Sequence, residues 1–311
     1  MGEHGPMPRV AVLMGGRSAE REVSLTTGAQ VAAALAEEHF ETTSIDTGTE
    51  TFVGELQALK PDVVFICLHG RFGEDGTVQG MLELLGIPYV GSGVLASALA
   101  MDKVMSKHFF AHAGLKTPAY AALRRGEPVD VDALAASLGP KTVVKPANEG
   151  SAIGVTIAHT AGELPAAIAE AFRHDEVVLV EQFVSGVEIT VGVLGNERPE
   201  CLPTLEVVPE HEFYDYESKY QQGMSTHIIP ARISAEATVE AQRLALEVHR
   251  CLGCRGMSRT DMIVTEDDSV HLLEVNTIPG MTPTSLLPDA ARAAGLEFPT
   301  LCRRLVELAL A

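Results

Sequence analysis

Three side chains that can supply oxygen ligands stand close together in a predicted hairpin near the C-terminus: Asp261, Glu274 and Asn276. Because side chains alternate along a strand, Glu274 and Asn276 are expected on the same face. Carboxylate and amide oxygens suit Mg²⁺ that shares its coordination shell with phosphate oxygens. A solvent-exposed strand face would also account for these residues taken alone. The turn that follows, at Pro279 and Gly280, favours a site that also needs backbone N–H groups.

A lysine beside a glycine-rich turn is a second candidate, for phosphate binding. Lys145 ends a predicted strand over 142–145, and Gly150 and Gly154 follow it. The backbone N–H groups of such a turn, together with one ammonium group, can cradle a phosphate. The segment matches neither the P-loop nor the dinucleotide-binding fingerprint, so an ordinary glycine-rich hairpin is an equal alternative at this point. The chain has only seven lysines, which makes a lysine in this place less expected as surface filler.

Two further segments carry carboxylates where ligands often bind. The apolar strand 178–184 passes into a polar hinge that can present backbone groups to adenine, and Glu188 beyond it can accept hydrogen bonds from ribose hydroxyls. Glu20 lies on the loop after the first predicted strand, where α/β proteins bind ligands. Both signals are weak alone, since many strands resemble 178–184 and a carboxylate at a helix N-terminus is a common structural feature.

The elements that must position these residues begin with a predicted α/β domain over 1–100. Apolar runs at 9–14 and 62–68, each followed by glycine within two residues, are typical of buried parallel strands. Their alternation with helical patterns predicts a Rossmann-like fold with right-handed crossovers. Its functional loops should follow the strand ends, at 15–24 and 69–76.

The remaining chain is predicted to form two more lobes. Residues 101–186 contain more strands than helices, which predicts an α+β central lobe. Residues 187–311 form the C-terminal lobe, in which Asp261 is expected to open the first strand of the hairpin. Within this lobe, 209–226 is polar, bears tyrosines and lacks periodicity, so it is predicted as a long loop. Loops longer than roughly 12–15 residues are uncommon and usually functional.

Composition excludes several classes of protein. The formal net charge of −19 argues against a nucleic-acid or anionic-membrane partner, which would need a basic patch. No apolar run approaches the roughly 18 residues of a membrane span, and the N-terminus does not resemble a signal peptide. Five scattered cysteines, with one CxxC at 251–254, are best explained as buried thiols in a reducing compartment. We therefore expect a cytoplasmic protein.

Four segments together resemble one known family. They read LMGGRSAEREVS at 13–24, HGRFGEDG at 69–76, RTD at 259–261 and LEVNTIPGMT at 273–282. In order and spacing they are similar to the signatures of the D-alanine–D-alanine ligase family. The likeness runs from about Arg9 to the end of the chain.

The resemblance implies a three-lobed ATP-grasp fold, α/β and α+β, with an N-terminal Rossmann-like (pre-ATP-grasp) domain. ATP would bind between the central and C-terminal lobes. The implied nucleotide ligands are Lys103 and Lys145 for phosphates, Glu181 and Val184 for adenine, Glu188 for ribose, and Lys219 on the lid loop 209–226. Two Mg²⁺ ions, or Mn²⁺, would be held by Asp261, Glu274 and Asn276.

The resemblance also implies the substrates and their ligands. Two D-alanine molecules would be joined through an acyl phosphate, to make a precursor of peptidoglycan for the bacterial cell wall. By the same resemblance, Glu20 would bind the ammonium group of the first D-alanine, and Ser285 and the Leu286 N–H would bind the carboxylate of the second. Arg259 and the Gly280 N–H would form an oxyanion site. Tyr220 would form a hydrogen bond with Ser151, and Ser151 would form one with Glu20. A homodimer is usual in the family. Ala152 departs from the pattern, because family members often have serine there, and Thr284 is at a variable position.

Three alternatives remain open on the sequence. The second substrate could be D-lactate or D-serine; Tyr220, where ester-forming relatives often carry phenylalanine, disfavours D-lactate. A different ATP-grasp carboxylate–amine ligase is disfavoured by the segment around Glu20. A nucleotide-binding module without catalysis would have no need of a full set of metal ligands or of Arg259.

Overall fold

The computed structural model describes residues 7–150, 152–209 and 225–311. These residues form three sheets, and helices cover them. Within this described part of the chain, no helix is long and apolar enough to cross a membrane.

The first sheet is parallel, with strand order β2-β1-β3-β4. Its elements are β1 (Arg9–Met14), α1 (Arg21–Glu37), β2 (Glu41–Asp46), α2 (Phe52–Leu59), β3 (Val63–Ile66), α3 (Thr77–Leu85), β4 (Tyr89–Val90) and α4 (Val94–Met101). Strand β3 and the four central residues of β1 are buried, and both strands match the predicted apolar strands. Strand β2 was not predicted, because its residues are mostly polar. As an edge strand, β2 buries only Ile45.

The second sheet is antiparallel, with order β5-β8-β6-β7. Its elements are α5 (Lys103–His112), β5 (Tyr120–Arg124), α6 (Val131–Leu138), β6 (Thr142–Pro146), β7 (Thr156–Ala158), α7 (Leu164–Ala171) and β8 (Val177–Gln182). Helix α7 packs on the sheet through Leu164 and Ala171, against Val144 and Val178. Asp102 caps α5 by accepting the N–H groups of Val104 and Met105.

The third sheet has strand order β12-β11-β9-β13-β14, with β10 paired to β9. Its strands are β9 (Val187–Leu194), β10 (Glu200–Cys201), β11 (Leu205–Pro209), β12 (Ser225–Ile228), β13 (Met257–Val264) and β14 (Val270–Asn276). Strands β11 and β12 extend into both ends of the segment predicted as a loop over 209–226, and residues 210–224 lie outside the described residues.

One helix of the C-terminal lobe lies between β12 and β13, and two helices follow β14. They are α8 (Ala235–Cys251), α9 (Leu286–Ala293) and α10 (Phe298–Leu310). Leu301 and Leu305 of α10 share one buried cluster with Val31 and Leu35 of α1. The end of the chain therefore completes the core beside the parallel sheet.

The β13–β14 hairpin carries the predicted oxygen ligands. Asp261 does not open its strand, as expected from the sequence, but lies in the middle of β13, opposite Glu274. The register shifts beside this pair because β14 has one extra residue, which forms a β-bulge. As a result Leu272 is buried in the core while Glu274 faces a cleft, although strict alternation would place both on one face.

Candidate active site

One cleft of about 1300 Å³ collects residues from the second and third sheets and from loops and helices beside the first sheet. It lies mainly between the second and third sheets, and the loop that bears Glu20 lines one end. The predicted site residues that line it are Glu20, Lys103, Lys145, Glu181, Val184, Glu188, Arg259, Asp261, Glu274, Asn276, Gly280, Ser285 and Leu286. The predicted Ser151, Lys219 and Tyr220 lie outside the described residues.

A group of polar side chains covers the cleft face of the third sheet. Pairing across β13 and β14 places Arg259 opposite Asn276 and Asp261 opposite Glu274, so all four point the same way. Arg259 donates to both oxygens of Asp261, from Nε at 2.9 Å and from Nη2 at 2.7 Å. The hydroxyl of Thr190, on β9, donates to Asp261 Oδ1 at 2.6 Å. These contacts fix the carboxylate and the guanidinium group relative to each other.

The donor set on this face fits magnesium. Asn276 Nδ2 lies 3.2 Å from Asp261 Oδ2, so the amide and the carboxylate are close enough for a shared ion. Two carboxylates and one amide leave coordination positions for phosphate oxygens and water, as Mg²⁺ requires. Within the described ranges, no group of three or more His, Cys, Asp and Glu residues is arranged to hold a metal ion. The predicted set differs from such a group because one of its members is an asparagine.

Lysines approach this face from the second lobe. Lys103 Nζ donates to the Glu149 carbonyl at 2.7 Å and lies 3.7 Å from Glu274 Oε2. Lys145 forms an ion pair with Glu181, which is only 2% exposed. Burial alone would lower the pKa of Lys145, but the attraction of Glu181 and Glu274 raises it above its usual value. Lys145 therefore carries its positive charge at the wall of the cleft.

Glu181 has a second cationic partner that the sequence analysis did not select. Lys107, one turn along α5 from Lys103, forms an ion pair with the other carboxylate oxygen. Burial by itself would raise the pKa of Glu181, yet Lys145 and Lys107 together lower it. Burial also lowers the pKa of Lys107 to about 8, against the attraction of Glu181. The four-residue spacing from Lys103 was the one signal in the sequence that both lysines share a helix face.

Residues expected to bind adenosine lie along the connection between two sheets. Val184 lies in the connection from β8 to β9, Glu188 is the second residue of β9, and both line the cleft. Glu188 pairs with Ile263 in the register that also pairs Thr190 with Asp261. Glu188 and Asp261 therefore lie on the same face, two residues apart along the paired strands.

Glu20 is enclosed between two glycines from different parts of the chain. Its side chain is buried, and the residue is 4% exposed. A Cβ atom added to Gly70 would lie 2.6 Å from Glu20 Oε2, and one added to Gly150 would lie 2.9 Å from the same atom. Side chains at these two positions would displace the carboxylate. The glycines therefore let backbone from the first and second lobes approach Glu20 closely.

The N-terminus of α9 forms another part of the cleft wall. Ser285 is the N-cap residue, and its hydroxyl accepts from the Thr282 N–H at 3.1 Å. A Cβ atom at Gly280 would lie 3.0 Å from Ser285 Oγ, so the turn and the helix start are in contact. Free N–H groups and the helix dipole make such a terminus suitable for a carboxylate.

Several other residues that line the cleft were not among the predicted site residues. His69 contacts Thr27 and Glu74, with ring nitrogens 3.2 Å and 3.3 Å from their oxygens. His227 contacts Asp289, with Nδ1 and Oδ2 2.6 Å apart. The His69–Thr27 and His227–Asp289 pairs join elements that are distant in the chain, so tertiary structure alone brings them together.

Fold and site together define the class of protein. Two β-lobes enclose a cleft with cations on one wall and hard oxygen ligands on the other, beside a parallel α/β domain. This is an ATP-grasp fold, as in the solved structures that it matches.

Comparisons with known proteins identify the family. Residues 109–307 match the family described as "D-ala D-ala ligase C-terminus", and residues 47–92 match "D-ala D-ala ligase N-terminus". The chain is 48% identical to a D-alanine–D-alanine ligase from Pelotomaculum thermopropionicum, over 97% of this chain and 96% of the relative. It is 50% identical to one from Syntrophobacter fumaroxidans, over 97% of each. The chain belongs to the D-alanine–D-alanine ligase family.

Solved structures agree with this assignment. The structure of the Bacillus anthracis D-alanine–D-alanine ligase complexed with ATP superposes with a TM-score of 0.86, at 34% identity, and the match covers 97% of each chain. The ligase from Coxiella burnetii gives a TM-score of 0.83 at 29% identity, covering 98% of this chain and 95% of that one.

Proposed function

We propose that this protein is an ATP-dependent D-alanine–D-alanine ligase that makes D-alanyl-D-alanine for peptidoglycan precursors. The observation that carries the proposal is the meeting, in one cleft, of the residues expected to bind nucleotide, metal and both substrates. Relatives that are 48% and 50% identical to the chain over 97% of its length are named D-alanine–D-alanine ligases, and this supports the same activity.

The reaction has to turn a carboxylate into an electrophile. The carboxylate of the first D-alanine attacks the γ-phosphorus of ATP, forming an acyl phosphate and releasing ADP. The neutral amine of the second D-alanine then attacks the acyl carbon. Phosphate leaves as the C–O bond breaks, and the nitrogen loses one proton as the peptide bond forms. Bound Mg²⁺ would neutralise phosphate charge in the first step. Asp261, Glu274 and Asn276 are the residues proposed to hold it.

Basic residues are proposed to position the nucleotide. Lys103 and Lys145 stand beside the Glu149–Gly150 turn, where two ammonium groups and backbone N–H groups can bind phosphates. Glu181 and Val184 would contact adenine, and Glu188 the ribose. The proposal follows from their place on the wall of the cleft.

Substrate-binding roles follow from the charge and position of the side chains. The buried Glu20 would pair with the ammonium group of the first D-alanine. Arg259, held by Asp261, and the Gly280 N–H would stabilise negative charge on the acyl oxygen in the second step. Donors of this kind are worth about 3–4 kcal/mol each. Ser285 and the Leu286 N–H would bind the carboxylate of the second D-alanine at the start of α9.

Water has to be excluded, because it would hydrolyse the acyl phosphate. We propose the segment 209–226 as the lid, on the basis of its sequence and of the strands β11 and β12 that lead to it from the cleft wall. Lys219 would contact phosphate, and Tyr220 would bond Ser151, which in turn would bond Glu20. This chain of contacts would link the three proposed lobes, 1–100, 101–186 and 187–311, in a closed state.

The experiment that tests the function is product analysis with the purified protein, ATP, Mg²⁺ and D-alanine. We expect one ADP for each D-alanyl-D-alanine, and no ADP release with L-alanine. Parallel assays with D-alanine plus D-lactate or D-serine distinguish the neighbouring activities. ADP release that does not depend on D-alanine, or a mixed product that rivals the dipeptide, would contradict the assignment.

The assembly and the setting are part of the proposal. A cytoplasmic homodimer that uses two Mg²⁺ ions, or Mn²⁺ in their place, is expected from the family resemblance. Light scattering measures the dimer, and metal titration of ADP release measures the cation requirement. A monomer at working concentration would contradict the first of these proposals without affecting the second.

A further inference from the structure

Lys107 is a fully buried lysine that has no assigned part in the reaction. The residue is 0% exposed and lies on α5, one helical turn beyond Lys103. A buried ammonium group is costly unless it is paired and hydrogen-bonded. Its presence in the interior therefore calls for a specific reason.

The surroundings hold the ammonium group of Lys107 in one place. It forms an ion pair with Glu181 Oε1 and donates to Thr117 Oγ1 at 2.6 Å. Thr117 Oγ1 in turn donates to the Leu272 carbonyl of β14 at 2.8 Å. The ring of Tyr120 lies on another side, with its centroid 5.4 Å from Nζ. Lys107 is thus anchored to α5, to β14 and to Glu181 at once.

Lys145 shares the same carboxylate from a different position. It pairs with the other oxygen, Oε2, but it lines the cleft, as Glu149 and Gly150 do. Glu181 therefore has two cationic partners of unequal character. One is enclosed by protein, and the other stands where a phosphate would attract it.

We propose that Lys107 is a positioning residue, a counter-charge held in place beside Glu181 that allows Lys145 to exchange this carboxylate for a phosphate of the nucleotide. The inference rests on the nucleotide-binding role proposed above. Without Lys107, moving Lys145 towards a phosphate would leave the buried Glu181 carboxylate unpaired, and an unpaired buried charge is strongly unfavourable. Loss of Lys107 would therefore weaken binding of the phosphates much more than binding of adenosine.

The test compares ATP with adenosine, which has no phosphate to draw Lys145 away. Lys107→Met keeps most of the length of the side chain and removes its charge, whereas Lys107→Arg keeps the charge. Dissociation constants are measured by calorimetry on the full chain without D-alanine, with competition titrations for adenosine. We expect Lys107→Met to raise the dissociation constant for ATP about tenfold or more, and that for adenosine much less. Lys107→Arg should stay closer to the unmodified protein for both ligands.

A second background separates this role from a structural one. In Glu181→Gln the neutral amide needs no counter-charge, so adding Lys107→Met should leave the ratio of ATP to adenosine affinity unchanged. If the single Lys107→Met variant shows no cooperative thermal unfolding, the comparison of Glu181→Gln with the double variant decides the question.

The outcomes distinguish the inference from the function on which it rests. Equal weakening of ATP and adenosine by Lys107→Met, or no weakening of either, would overturn the role of Lys107. A further fall in the affinity ratio in the Glu181→Gln background would also overturn it. Failure of the unmodified protein to bind ATP would overturn the proposed function as well, and that result does not depend on any variant.

Discussion

The contact between Gly70 and Glu20 gives a prediction whose size follows from the structure. In Gly70→Ala the added Cβ would lie 2.6 Å from Glu20 Oε2. Ordinary van der Waals contact needs about 3.5 Å, so the carboxylate would have to move by roughly 1 Å. A misplacement of about this size can cost up to about 100-fold in rate. We expect kcat/KM for D-alanine to fall about 10- to 100-fold, with a much smaller change for ATP.

Gly86 supplies a matched control for backbone strain. Gly70 has a φ of +68° and Gly86 a φ of +66°, and nothing lies within 4 Å of a Cβ built on Gly86. Alanine in this left-handed region costs roughly 1–2 kcal/mol of stability at either position. The free energy of unfolding, measured in urea, should therefore fall by similar amounts in both variants. Only Gly70→Ala should lose D-alanine turnover.

The assay is steady-state ADP release with D-alanine and ATP varied in turn. Gly150→Ala, whose Cβ would approach the same oxygen at 2.9 Å from the other side, should show the same selective loss. Native kcat/KM for D-alanine in Gly70→Ala would refute the reasoning. So would a loss of equal size in Gly86→Ala, because strain alone would then explain it.

Three further predictions concern the metal site, the core and the lid. Glu274→Gln should reduce ADP release by at least about 100-fold at saturating Mg²⁺ with an unchanged melting temperature, because an anionic ligand becomes neutral; near-native release would remove Glu274 from the metal site. Burial lowers the pKa of His249 to about 4, so the folded protein binds this proton less readily than the unfolded chain, in which the pKa is about 6.5. The stability contributed by neutral His249 is fully present above about pH 6.5 and is lost as pH falls towards about 4, by up to about 3 kcal/mol. In His249→Gln, urea unfolding between pH 7 and pH 5 should show a flatter dependence on pH, and an unchanged slope would contradict the assignment. Tyr220→Phe should weaken dipeptide synthesis without abolishing it, and should allow the ester with D-lactate to form near pH 6. The ratio of ester to dipeptide should shift by a factor of tens at most, since one hydroxyl hydrogen bond is worth about 0.5–1.5 kcal/mol. Absence of ester at pH 6 and at pH 8 would contradict the role of Tyr220.

The sequence by itself determined the parts of this protein that depend on local patterns. Strands β1 and β3 were predictable because fully buried parallel strands are continuous apolar runs. The shared face of Glu274 and Asn276 follows from alternation along one strand. Family membership was also predictable, because the matching segments are short and contiguous. By contrast, β2 has a polar sequence, and it is a strand because it pairs with β1 at the edge of the sheet.

Only the tertiary structure decided how the charged groups of the site are paired. The bulge in β14 separates Leu272 from Glu274, and no simple alternation predicts it. The sequence gives no sign that Arg259 is held by Asp261, or that Lys107 and Lys145 share Glu181. The energy of an ion pair depends on the distance and burial of both partners, and Lys107 and Glu181 are 74 residues apart in the chain. Their partnership exists only because the fold brings Lys107 of α5 and Glu181 of β8 together in the interior.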